Sequence, residues 1–169
     1  MAATEAEHCT LVQSQDAHFA WMLGEAPAPL AHLCLPPGGV DSPAILRLLR
    51  DMLKTLQAAG CQGSWLIVAG NEVVGICGYK QPPCSEGKVE IGYGVAAGRR
   101  DRGYASHAVR AILEHARSDR TISAVVAATT VANVVSQRVL ERNGFTKTGT
   151  SYDPDDGKLI WWQTILREL

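Results

Sequence analysis

Lys88-Val-Glu-Ile-Gly-Tyr-Gly-Val-Ala-Ala-Gly-Arg-Arg-Asp-Arg-Gly-Tyr-Ala-Ser-His-Ala-Val-Arg110 carries three kinds of local order in one run. Val89, Ile91, Tyr93 and Val95 alternate with Glu90, Gly92, Gly94 and Ala96, the two-residue period of a strand. From Gly98 to Gly103 the chain is a basic, glycine-bearing turn. Ala105, Ala108, Val109, Ile112 and Ala116 then recur at three- and four-residue steps, which predicts a helix. This succession favours anions. The first amides of a helix lack intrahelical acceptors, and the macrodipole places partial positive charge there.

Within the turn, Arg100-Asp101-Arg102-Gly103-Tyr104-Ala105 reads Arg-x-x-Gly-x-Ala. Gly103 lets a phosphate approach the backbone, and Ala105 leaves the next amide unscreened by a long side chain. Arg100 and Arg102 add charge suited to a diphosphate. An ordinary basic strand-to-helix turn would carry the same residues, so the turn alone does not decide. The pattern resembles the pyrophosphate loop of the GNAT family of N-acetyltransferases, Gln/Arg-x-x-Gly-x-Gly/Ala, which grips acetyl-coenzyme A.

Outside this stretch, composition sets limits. A chain of 169 residues favours a single domain, residues 1–169, with one continuous core. The formal net charge of −1 gives no global basic field for nucleic acid or anionic lipid, so neither is expected as a partner. No apolar run reaches the roughly 18 residues of a membrane span, and no signal-peptide pattern opens the sequence. A cytoplasmic location is therefore expected. Cys9, Cys34, Cys61, Cys77 and Cys84 are odd in number and form no Cys-x-x-Cys pair or Cys/His cluster, so neither a disulfide framework nor a metal site is expected. Cys77 lies in a strand pattern and reads as a small core hydrophobe.

From the start, residues 8–13 suggest an edge strand and residues 16–23 a short helix with Phe19, Met22 and Leu23 on one side. Residues 26–39 are rich in Pro and Gly and form a loop. Ser42-Pro43 is an N-cap with a first-turn proline. Ile45, Leu48, Leu49, Met52, Leu53 and Leu56 behind it make one apolar stripe, with Arg47, Arg50, Asp51 and Lys54 facing away and Gly60 as the stop. This helix is expected to pack on a sheet, with its preceding loop placed to wall a substrate pocket. Residues 64–69 and 72–79 are strands joined at Gly70-Asn71. A turn over residues 81–87 leads into the strand at Lys88. Residues 122–128 read as a buried strand. Residues 146–152 and 158–166 form a last hairpin about Asp153-Pro-Asp155-Asp156-Gly157.

A second motif lies between those strands. Asn133-x-x-Ser136-x-x-Val139-x-x-x-x-Gly144-Phe145 has Val134, Val135, Val139 and Leu140 at helical spacing and Gly144 as a stop. It resembles the GNAT helix Asn-x-x-Ser/Ala-x-x-Leu/Val-x-x-x-x-Gly-Phe. It begins 33 residues after Arg100 (133 − 100), with one helix and one strand between, as that family arranges them. The resemblance covers residues 64–166; residues 1–63 match only loosely. It implies an α/β (α+β) GNAT fold: a mixed, mostly antiparallel sheet of six to seven strands with helices on both faces. It also implies that coenzyme A lies where the parallel strands 88–95 and 122–128 splay apart. Carried over, backbone at Val95 and Ala97 would bond the pantetheine arm, with the Val95 amide near the thioester carbonyl. Amides of Arg102, Gly103, Tyr104, Ala105 and Ser106 would hold the pyrophosphate, and Asn133 the pantetheine amide region.

The implied reaction is transfer of an acetyl group from acetyl-coenzyme A, as co-substrate, to a primary amine on a small molecule or a peptide N-terminus. A preorganised amide stabilises charge on the carbonyl oxygen, the amine must lose a proton, and the departing sulfur can take one. Positioning the two reactants in line supplies much of the remaining acceleration. Glu90 is the candidate base. Its strand carries the thioester contact, its own face is otherwise Gly92 and Gly94, and a partly buried carboxylate can relay a proton through water. Members resembling the ribosomal-protein N-terminal acetyltransferases carry the same Glu-Ile-Gly-Tyr. The competing role is a structural carboxylate paired with a neighbouring Arg or Lys. For the acid, the sequence departs from a common family pattern: seven residues after Asn133 stands Leu140, not a tyrosine. Ser136 is the substitute used by some relatives, with water as the competing proton source.

The remaining features divide between structure and function. His107 and His115 are eight apart on one helix without a third ligand, and His8, His18 and His32 have no evident partner. Trp161 and Trp162 face opposite sides of a strand, one toward the core and the other toward an acceptor site. Asp153, Asp155 and Asp156 cluster at the hairpin that the resemblance puts beside the acceptor mouth, which would favour a cationic acceptor such as a basic N-terminus, a polyamine or an aminoglycoside; the same residues also suit a plain turn. A non-catalytic acyl-coenzyme A-binding module is the alternative reading, and a homodimer is left open. A nucleotide hydrolase is disfavoured by the absence of a Gly-x-x-x-x-Gly-Lys-Ser/Thr loop.

Overall fold

In the computed structural model, which describes residues 8–168, the alternating and β-branched runs become seven strands. These are β1 Thr10–Gln13, β2 Ser64–Ala69, β3 Glu72–Tyr79, β4 Lys88–Val95, β5 Ala124–Thr130, β6 Thr146–Asp153 and β7 Gly157–Ile165. The helices are α1 Asp16–Met22, α2 Pro43–Ala58, α3 Tyr104–Ser118 and α4 Val134–Arg142. One sheet runs in the order β1-β2-β3-β4-β5-β7-β6. Every neighbouring pair is antiparallel except β4 and β5. That parallel pair needs a crossover, and α3 is the crossover.

The two faces of the sheet carry separate cores. Val89 and Ile91 of β4 pack with Ala108, Val109 and Ile112 of α3 and Leu140 of α4. On the other face, Leu66, Val68, Val73 and Ile76 pack with Phe19 of α1 and Leu46 and Leu53 of α2. Val73 and Val74 alternate onto opposite cores and both are buried, and the bulge where Ile67 pairs with Gly75 but Val68 pairs with Val73 puts Val74 on the same face as Ile67. Cys77 is buried in the first core, and burial pushes its thiol pKa up, as suits an unreactive hydrophobe.

Several local expectations change on contact with the tertiary structure. The α2 stripe splits. Leu53 and Leu56 are buried with Leu46, whereas Ile45 and Leu48 stay exposed. Arg50 does not face away. It grips Asp16 through two hydrogen bonds of 2.7 Å and Glu25 at 2.8 Å, clamping α1 to α2. His18 has a partner after all, its Nδ1 accepting the Gln15 amide at 2.9 Å. In α4, Val139 and Leu140 are buried but Val134 and Val135 face solvent. In each case a side chain's neighbours come from another element, which periodicity within one helix does not register.

Candidate active site

The parallel pairing of β4 with β5 covers only Lys88–Glu90 against Ala124–Val126. Beyond it both strands continue, β4 to Val95 and β5 to Thr130, so a gap opens between them. Two bonds to β3 fix the direction of the β4 backbone. The Lys80 amide donates to the Glu90 carbonyl and the Ala96 amide to the Val74 carbonyl, each at 2.8 Å. Even-numbered residues therefore turn their polar groups toward β3, and Tyr93 and Val95 turn theirs into the gap. The Val95 N–H is thus aimed as an oxyanion donor needs to be. The Val95 carbonyl accepts the Nε of Arg100 at 3.3 Å, so this arginine folds back on the strand.

At the head of the gap the chain makes a 3₁₀ turn, Ala97–Arg99, and then enters α3. Arg99 pairs with Glu72 through 2.5 Å and 3.1 Å bonds and pins the turn to β3. Asp101 has φ 62 and Gly103, the N-cap of α3, has φ 82. A left-handed non-glycine residue beside a left-handed glycine is a conformation that surrounding structure must hold in place. Gly103 offers no capping side chain and the first turn of α3 holds no acidic residue. The N-terminus of α3 therefore directs the positive end of its dipole toward the head of the gap. The Tyr104 ring is buried. Ser106 is tied to the far end of α4 through Asn143, whose Nδ2 donates to its Oγ at 3.1 Å.

Across the gap, Asn133 caps α4 by accepting the Ser136 amide at 3.1 Å on its Oδ1, which leaves the side-chain NH₂ as its outward donor. A neighbour absent from the sequence reading appears here. The Tyr93 hydroxyl donates to the Ser136 carbonyl at 3.1 Å, bridging β4 to the first turn of α4. Burial pushes the Tyr93 phenol up to about 12, so it remains a donor at neutral pH. The pattern of β4 had marked Tyr93 only as one member of the buried face.

Glu90 lies on the opposite face of the sheet from Tyr93, with its carboxylate 2.7 Å from Lys80 Nζ. The Lys80 stem crosses Gly92, its Cε 3.3 Å from where a Cβ would be. Above Gly94 the space is open. Five residues separate Glu90 from Val95, about 16 Å of strand, so any proton path between them runs through water. A cleft of about 340 Å³ covers this face, with Gly92, Tyr93 and Gly94 on its floor and Ile45, Leu48, Leu49 and Met52 of α2 as a wall. The tip of the β6–β7 hairpin is near. The Asp153 carboxylate accepts the Asp155 and Asp156 amides at 2.8 Å and 2.9 Å. The Asp156 and Asp155 amides and, more weakly, the Lys80 charge hold its pKa below the usual carboxylate value. Trp162 is core, its Nε1 donating to Thr129 Oγ1 at 2.9 Å, and Trp161 donates to Ser151 at 2.8 Å rather than lining the cleft.

The β4–β5 gap, the α3 start at its head and the Asn-capped α4 across it all lie within residues 14–146, which match the acetyltransferase (GNAT) domain family. The chain belongs to the GNAT acetyltransferase family. That family is one of acetyltransferases, and solved members bind coenzyme A or acetyl-coenzyme A. The uncharacterized N-acetyltransferase p20 of Bacillus licheniformis is 26% identical over 118 residues, 66% of each chain. The uncharacterized N-acetyltransferase YjdG of Bacillus subtilis is 34% identical over 84 residues, 48% of this chain and 50% of that protein. The matches thus span between half and two thirds of these relatives. Among solved structures, the RimL ribosomal L7/L12 alpha-N-protein acetyltransferase in complex with coenzyme A superposes with a TM-score of 0.69 at 21% identity, over 96% of both chains. At that identity the likeness is one of fold. Among the described residues no group of three or more His, Cys, Asp or Glu could hold a metal ion, and no helix is long and apolar enough to cross a membrane.

Proposed function

We propose that this GNAT protein, acting as a single cytoplasmic domain, transfers an acetyl group from acetyl-coenzyme A directly to a primary amine in a ternary complex. The observation that carries the proposal is the parting of β4 from β5 after Glu90 and Val126, below the N-terminus of α3. In this reading the amides of Arg102 to Ser106 hold the pyrophosphate, with Arg100 and Arg102 adding positive charge. Asn133 and the backbone at Ala97 hold the pantetheine. The Val95 N–H meets the thioester oxygen as negative charge develops on it. Glu90 draws the amine's proton through water, the C–N bond forms as the C–S bond breaks, and Ser136 returns a proton to the sulfur.

Two observations keep the non-catalytic acyl-coenzyme A-binding module as a second reading. Glu90 is engaged by Lys80, and Leu140 stands where many members carry a tyrosine. A screen of polyamines, aminoglycosides, amino acids and N-terminal peptides with acetyl-coenzyme A, following free thiol, separates the two. Thiol release that depends on one amine class supports the enzyme. Micromolar cofactor binding with no release above the amine-free rate supports the module.

A further inference from the structure

The apolar wall of the cleft under α2 is not required by the core. Leu46, Leu53 and Leu56 bury that side of the helix, while Ile45 and Leu48 remain 39% and 55% exposed. Exposed aliphatic side chains gathered along one side of a cleft mark a surface for an apolar ligand. The floor at Gly92, Tyr93 and Gly94 ends one residue before Val95, the proposed thioester contact. Two charged side chains line it, Asp41 and Lys80. Asp41 accepts the Ser42 amide at 2.7 Å, and Lys80 is cationic and paired with Glu90 at 2.7 Å. The inner end of the cleft therefore suits one reacting amine at Gly94, on the same face of the sheet as Glu90 and joined to it through water. A second ammonium further along would face Lys80 or lie against Leu48, Leu49 and Met52. Asp41, already engaged by the Ser42 amide, is the one carboxylate lining the cleft among the described residues, so that placement is costly.

We infer that the acceptor is a small monoamine carried on an aliphatic or aromatic body, not a polycation. The inference rests on the acetyltransferase reading above and names the substrate class of that site. The cleft's volume of about 340 Å³ is at the lower end of the range for small-ligand sites. The amine points inward past Gly94 and the apolar body lies along α2.

The test is thiol release from acetyl-coenzyme A with a homologous series from propylamine to hexylamine, with spermidine, and with a peptide bearing an N-terminal leucine. The expected kcat/KM rises about fourfold per added methylene, the transfer preference for burying each one, and hexylamine exceeds spermidine by about tenfold or more. Leu48→Glu, at an exposed position that the fold tolerates, is expected to flatten the series and narrow the gap to spermidine, with acetyl-coenzyme A affinity unchanged by calorimetry. A flat series in the parent protein, or a preference for spermidine, overturns the inference while leaving the transferase intact. The leucine peptide outrunning hexylamine tenfold overturns the small-amine assignment in favour of a peptide N-terminus. No release with any amine, despite cofactor binding, removes the transferase reading and this inference together.

Discussion

At the start of α2, the Ser42 hydroxyl accepts the Ile45 amide at 3.3 Å and Pro43 has no amide to satisfy. At the start of α3, Gly103 brings no side chain and its φ of 82 opens the backbone outward. The first helix end is completed by its own residues, so its contribution is to stability. The second has no side-chain cap at Gly103, and the gap between β4 and β5 is directly before it. Helix N-termini with the same electrostatics thus differ in whether the N-cap side chain supplies an acceptor. The sharpest way to break this contrast is to close the open end. Gly103→Glu places a carboxylate where phosphate oxygens would lie, in a conformation that L-residues resist. Acetyl-coenzyme A affinity should fall about a thousandfold, and Arg102→Ala should cost far less and weaken the salt dependence of binding. Ser42→Ala, the matching change at the closed end, should lower stability by about 1 kcal/mol and leave cofactor affinity alone. Calorimetry in which Gly103→Glu binds like the parent protein would remove the anion role of this turn.

The contrast between open and closed extends to the two faces of the sheet. Glu90 faces the α2 cleft, and Ser136 and Tyr93 face α3 and α4, with the gap joining them. Glu90→Gln should lower turnover about a hundredfold near neutral pH and recover in part at high pH, where the amine loses its proton unaided. Superimposable pH–rate profiles would make Glu90 the structural partner of Lys80. Ser136→Ala should depress turnover about tenfold with cofactor affinity nearly unchanged. Tyr93→Phe should do so to a smaller extent if the bridge to the Ser136 carbonyl positions that turn. Equal loss of cofactor affinity and turnover in either variant would instead mean that α4 itself has shifted.

What the sequence disclosed follows the range of the forces involved. Strands β2 to β5, helices α2 to α4 and the two turns with glycine were legible because their signals are local: alternation, caps, positive φ at Gly103 and Gly144. The site backbone was legible for the same reason, since a helix start without a capping side chain is a property of six consecutive residues. The side-chain partners were not. Lys80 is ten residues from Glu90 and Tyr93 is 43 from Ser136, and such pairs arise only when β3, β4 and α4 are assembled. The division of the α2 stripe into core and cleft residues was likewise hidden, because Ile45 and Leu53 are equally apolar until the sheet beneath them is placed.

A smaller effect separates α1 from the rest of the fold. The His18 ring is buried, and that burial lowers its pKa from 6.5. The unfolded chain therefore takes up a proton that the folded ring resists. Stability should be level above about pH 6.5 and decline as pH falls below it through the depressed folded value. Protonation also ends the Nδ1 acceptor bond from Gln15. Urea midpoints at pH 7.5 and 5.5 check this. His18→Gln should reduce the difference between them, and an undiminished difference would place the titration elsewhere.

The smallest expected effect concerns the acidic hairpin, whose Asp153 feels the charge of Lys80 at the cleft. Asp153 is taken up by the Asp155 and Asp156 amides, as a turn requires. That leaves Asp155 and Asp156 as the carboxylates not shown to be structural, both exposed at the tip. A local negative potential there would draw a protonated amine toward the cleft even though the net charge is only −1. The apolar wall would then select the body of the acceptor and the hairpin only hasten its arrival. Replacing Asp153, Asp155 and Asp156 by Asn keeps the turn chemistry, since Asn also accepts backbone amides. The triple variant should raise acceptor KM about threefold at low salt and flatten its salt dependence, with the KM for acetyl-coenzyme A unmoved. An acceptor KM that stays put would assign these residues to the turn alone. A larger rise for spermidine than for hexylamine would show that the hairpin reads charge while α2 reads shape.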